Sequence, residues 1–128
     1  MSWWSKGVKN KDRVILLEQL SKILTLENFE FINLQYGDTS EERKRFKKDY
    51  GAELISFDDL DLMNDFDGLA ALIASCDLVI TISNATAQLA GSLGANTWIM
   101  LPLYPYWEWF LKRSNSLWYP NVRLFRRM

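Results

Sequence analysis

The residues best suited to hold a ligand in this 128-residue chain are small and polar, and they follow an apolar run. Residues 83–88, Ser-Asn-Ala-Thr-Ala-Gln, come directly after 78–82 (LVITI) and open a helical pattern. First-turn N–H groups of a helix lack internal acceptors and sit at the positive end of its dipole, so such a start suits a phosphate. Ser83 and Asn84 are good N-cap types, and Ala85 and Ala87 let a ligand approach the backbone closely. Thr86 and Gln88 add polar side chains. The same residues also fit a plain helix start capped by Asn84, and the sequence leaves both readings open.

Three further segments carry candidate chemistry. Trp4, Ser5 and Lys6 lie in a basic, glycine-containing opening stretch with Lys9, Lys11 and Arg13, which could close over a diphosphate or be solvated. Gln35 and Tyr36, before Gly37 and Asp38, could meet a ribose or base, while Asp38 and Thr39 could simply cap the next helix. Residues 58–68 contain two Asp-x-Asp patterns, 59–61 and 65–67, the second made of Asp65, Phe66 and Asp67. Clustered carboxylates suit Mg²⁺ or Mn²⁺, but the pattern is short and unspecific, and Asp65 or Asp67 reads as a helix cap.

The chain has no histidine, which excludes Ser-His-Asp and Cys-His nucleophile systems and the HExxH zinc site. Its 15 basic and 16 acidic residues give a net charge of -1 and no global attraction for nucleic acid. Cys76 is the single cysteine and reads as a small hydrophobe in a reducing, cytoplasmic setting. No apolar stretch is long enough to span a bilayer, so a transmembrane segment is not expected.

The elements that must position these residues alternate. The spacing of Ile15, Leu16, Leu20, Ile23 and Leu24 predicts a helix over 14–26. Strands are expected over 29–34, 52–57, 78–82 and 97–101, and helices over 39–50, about 67–75 and between the last two strands, ending at Gly94. Short, nearly uninterrupted apolar strands separated by helices imply a single α/β domain, Rossmann-like, with an open and mostly parallel sheet covered on both faces. The aromatic-rich stretch from Tyr104 to Tyr119 is expected to be an irregular tail that buries its rings against that sheet.

Taken together, SWWS at Ser2, INLQYGD at Ile32, the stretch DFDGLAALIASCDLVITISNATAQLAGSLGANTWIMLP and the tail WEWFLKRSNSLWYPNVRLFRR resemble the C-terminal half of heptosyltransferases. The members most alike are those that follow tetratricopeptide repeats. The resemblance implies one lobe of a GT-B glycosyltransferase that binds a nucleotide diphospho-sugar without a metal or other cofactor. It implies diphosphate contacts from Ser83, Asn84, Ala85, Thr86, Gln88, Trp4, Ser5 and Lys6. The nucleoside would be bordered by Gln35, Tyr36, Asp65 and Phe66. Ser83 and Gln88 stand where the family usually has aspartate and histidine. The acceptor and the general base are expected on an N-terminal lobe or partner chain outside this stretch, so the domain would be inactive alone. A noncatalytic protein-interaction module on a degenerate version of this fold is the competing expectation.

Overall fold

A computed structural model describes residues 1–5 and 14–127. The described residues form five short strands: β1 (Phe31–Ile32), β2 (Leu54–Ile55), β3 (Val79–Ile82), β4 (Thr97–Leu101) and β5 (Val122–Arg126). Among the described residues the α-helices are α1 (Ser21–Leu24), α2 (Ser40–Tyr50), α3 (Phe66–Ala74) and α4 (Ala85–Ser92). Every strand pair is parallel, β1 with β2 and β3 with β4 and then β5.

Residues 1–3 join these two groups into one sheet. The Met1 amino group donates to the Ile32 carbonyl, and the Leu34 N–H donates to the Met1 carbonyl at 2.8 Å. On the other side the Ser2 N–H donates to the Ile80 carbonyl at 3.1 Å and the Ile82 N–H to the Ser2 carbonyl at 3.2 Å. Ser2 and Thr81 thus form a parallel bridge. The spatial order becomes β2, β1, residues 1–3, β3, β4, β5. In chain order this is 3-2-1-4-5-6, the Rossmann arrangement, with its topological switch between residues 1–3 and β3.

A single buried side chain organises the centre. Gln35, at 1% exposure, presents one carboxamide oxygen to three donors: the Ser2 hydroxyl at 3.0 Å, the Trp3 N–H at 2.8 Å and the Trp4 N–H at 2.9 Å. Segment 1–4 is too short to pair strongly by itself, so these bonds fix where it ends. Trp3 is fully buried with Met1, Leu20, Leu24, Phe46 and Ile80 on the face covered by α1 and α2. On the opposite face α3 and α4 pack Leu69, Ile73 and Ala90 against Val79 and Leu34. Cys76 packs beside this cluster, and burial pushes its thiol pKa up, as expected of a small hydrophobe.

Several sequence expectations are corrected. The segment expected to be helical over 14–26 forms a 3-10 turn (Leu17–Leu20) and one α turn (Ser21–Leu24) instead. Leu16 takes an extended N-cap conformation, so the helical period starts late. The strands expected over 29–34 and 52–57 shrink to two residues each. The tail is not wholly irregular, because Val122–Arg126 adds a sixth parallel strand position beside β4. Nor are its rings mostly buried: Trp109 is fully enclosed against Ile99, Leu101 and Leu124, whereas Tyr104 and Trp107 are 76% and 77% exposed.

Gln35→Leu tests the centre of the sheet. It removes the acceptor from three donors, two of them backbone N–H groups, and each stranded buried donor costs about 1–3 kcal/mol. Chemical denaturation should show a loss of about 3 kcal/mol or more. A loss below about 1 kcal/mol would mean that segment 1–4 is held by something else.

Candidate functional site

The switch point places two strand ends side by side, those of residues 1–3 and of β3, and ligands of open parallel sheets bind outside such ends. On one side stand Trp4 and Ser5. The Trp4 ring lies 5.2 Å from that of Tyr36 at 57°, and the Tyr36 hydroxyl donates to Ser5 Oγ at 3.3 Å. Gly37, at φ +83°, lies beneath the Trp4 ring, where an added Cβ would sit 3.3 Å from it. Lys6 lies outside the described residues.

On the other side, α4 begins immediately after β3. Asn84 is its N-cap, extended in backbone, with Oδ1 accepting from the Ala87 N–H at 3.2 Å and from the Thr81 hydroxyl at 3.1 Å. Its Nδ2 donates to Ser2 Oγ at 2.8 Å. The Asn84 side chain therefore caps the helix and ties it to the central segment. The Ala87 and Gln88 N–H groups also turn back to the Asn84 carbonyl, leaving Ala85 as the exposed opening residue of the helix.

Three neighbouring side chains point elsewhere. Thr86 is buried at 3% exposure. Ser83 Oγ accepts from the Trp109 indole N–H at 2.7 Å. Gln88 Oε1 accepts from the Tyr119 hydroxyl at 2.7 Å, and Gly91, one turn further, leaves the space that the Tyr119 ring fills. The start of α4 is thus wedged between the sheet and the C-terminal aromatic segment. Nothing in the sequence spacing pointed to either contact, since the partners lie 26 and 31 residues away.

Two hollows open at the strand ends. One, of about 300 Å³, runs beyond β3, β4 and β5, with Ile15, Ile82, Met100 and Phe125 as apolar walls and Ser83 at its edge. The other, of about 280 Å³, lies beyond β1 and β2 and is more polar, lined by Asn33, Gln35, Tyr36, Arg43, Ser56 and Asp58. Arg43 reaches it from α2, with Nε donating to Thr39 Oγ1 at 3.1 Å. Asp65 and Phe66 do not line either hollow. Asp65 caps α3 by accepting from the Gly68 N–H at 2.8 Å, and Phe66 is 56% exposed.

The acidic loop is organised by its own turns. Asp61 accepts from the Met63 and Asn64 N–H groups and from the Asn64 side chain, which holds its carboxyl below the usual range. Asp38 is likewise lowered by the Ser40 hydroxyl and N–H. Among the described residues no three acidic or cysteine side chains converge as a metal site would require. None of the described helices is long and apolar enough to cross a membrane.

The chain is similar to Protein FlbA of Caulobacter vibrioides, with 39% identity over 105 residues covering 72% of this chain. The chain spans only 18% of the length of that relative. No family model matches the chain, and no solved structure does.

Two substitutions test the wedge. Ser83→Ala leaves the buried Trp109 N–H without its acceptor and should cost about 1–3 kcal/mol in thermal or chemical unfolding. Gly91→Ala places a methyl 2.6 Å from the Tyr119 ring. That overpacking should cost about 1–3 kcal/mol, and much less in a Tyr119→Ala background. Equal losses in both backgrounds would contradict the contact.

Proposed function

We propose that this domain is the donor-binding lobe of a heptosyltransferase-like glycosyltransferase, taking the diphosphate of a nucleotide sugar at the switch point. The observation that carries the reading is the juxtaposition there of Trp4 and Ser5 with the exposed start of α4. A helix start supplies N–H donors and the positive dipole end, and the site needs no metal to receive an anion. The polar hollow at β1 and β2, with Tyr36 and Arg43, is the place for the nucleoside. The apolar hollow at β3 to β5 extends from Ser83 on the other side.

In this reading the lobe binds and orients a donor and stabilises the departing diphosphate. The acceptor and general base belong to a second lobe or partner chain, so the isolated domain transfers no sugar. The side-chain contributions are fewer than the resemblance implies. Asn84 is committed to capping, Thr86 is turned inward, and Ser83 and Gln88 already serve the aromatic segment. Backbone donors at Ala85, with Trp4 and Ser5 opposite, carry the anion.

Those same commitments favour a second reading, a noncatalytic interaction module whose α4 start serves as scaffold. Nucleotide binding separates the two. ADP, GDP, UDP and CMP are titrated calorimetrically without metal, and at least one should bind. Ala85→Glu puts a carboxylate at the exposed opening residue and should abolish binding without loss of stability, since an acid in a first turn is worth about 0.3–1 kcal/mol. Asp59→Asn should bind as the parent does. Failure of all four nucleotides favours the interaction module, and a selective failure of Asp59→Asn moves the site to the acidic loop.

A further inference from the structure

The two edges of the sheet carry surfaces of opposite character. Between β4 and β5 the chain forms an open hollow of about 620 Å³ lined by Tyr106, Trp107, Phe110, Leu111, Lys112 and Arg113. Trp118 extends it, its ring 6.3 Å from Trp107 and its indole N–H bonded to the Glu108 carbonyl at 3.1 Å. Trp107 and Leu111 are 77% and 67% exposed. Phe110 holds φ +52°, a conformation unfavourable for a bulky side chain. Contiguous apolar surface of this kind on a small domain marks an interaction site.

Residues 103–128 carry five Lys and Arg against one acid, Glu108, in a chain whose net charge is -1, and of these Lys112 and Arg113 line this hollow. The excess acid lies elsewhere. Residues 57–67 hold five aspartates and no Lys or Arg. Phe57, Met63 and Phe66 are exposed among them, at 45%, 49% and 56%. The segment is thus complementary to the hollow in charge and similar to it in apolar content. The main-chain edge of β5 is already occupied, because Asn115 bridges Arg123 and the Leu124 N–H donates to the Ser114 carbonyl at 2.8 Å. Recognition there must run through side chains and not through strand addition.

We propose that the basic aromatic surface beside β5 docks the acidic segment 57–67 of a second copy of this chain. The acidic segment follows β2 and the aromatic surface flanks β5, at opposite edges of the sheet. One partner copy cannot satisfy both contacts, so the association is head to tail and adds chains beyond two. Asp58 of this segment also lines the polar hollow beyond β1 and β2, so the association is measured without nucleotide.

Sedimentation equilibrium of the full chain over a wide dilution series is the test. The weight-average mass should climb with concentration past that of two chains and fall toward one chain in high salt, which screens the charge pairing. Trp107→Ser with Leu111→Ser, Lys112→Glu with Arg113→Glu, and Asp58→Lys with Asp59→Lys should each stay monomeric. The last pair lies on an exposed loop and keeps the parent's thermal midpoint. Mixing the two charge-reversed proteins should restore a complex. A chain that is monomeric throughout, a mass that levels off at two chains, or association that survives all three variants would overturn the proposal. So would a monomer that floats with phosphatidylglycerol vesicles, which would make the surface a lipid-binding one.

Discussion

One carboxamide oxygen sets the geometry on which the rest depends. Gln35 gathers the Ser2 hydroxyl and the Trp3 and Trp4 N–H groups, and so turns a three-residue stretch into the central strand of a six-position parallel sheet. Without it the two-stranded and three-stranded groups would share only a few backbone bonds. With it, Trp3 is pinned in the core and Trp4 emerges beside the start of α4. Asn84 closes the arrangement from the other side by bonding Ser2 while it caps the helix. The switch point is therefore defined by two side-chain amides, Gln35 and Asn84, joined through the Ser2 hydroxyl.

The same economy explains why the candidate site is barer than its sequence. Small polar residues after a parallel strand can face a ligand or the interior, and here most face the interior. Trp109 and Tyr119 draw on Ser83 and Gln88 because an indole N–H and a phenol brought against the sheet need acceptors when buried. What stays at the surface is the exposed opening residue Ala85, with Trp4 and Ser5 on the other side of the switch point. In the proposed reading, an anion site made largely of backbone donors would select charge and size and leave the choice of base and sugar to the hollows on either side.

The sequence made the buried, regular parts legible. Residues 97–101 form β4 as their nearly uninterrupted apolar run implied, and 79–82 form β3 within the expected run. Gly51 and Gly94 end their helical segments at φ +70° and +72°, as glycine stops do. Asp65 and Asn84 cap the helices that follow them. Residues 1–3 were harder to read, since three residues carry no period and their pairing depends on Gln35, some thirty positions on. β5 was missed because Arg123 and Arg126 interrupt its apolar positions and only one face, Val122 and Leu124, is buried. The exposed rings of the aromatic segment escaped for the opposite reason: composition registers their apolar character but not which of them finds a place in the core.

Backbone amide NMR during a titration with a nucleoside diphosphate, without divalent metal, tests the account most directly. Shifts confined to Trp4 and Ser5, to residues 83–87 and to the Tyr36 hollow are expected, because the switch point is where free donors and the helix dipole meet. Shifts centred on residues 58–61, or appearing only when Mn²⁺ is added, would contradict it.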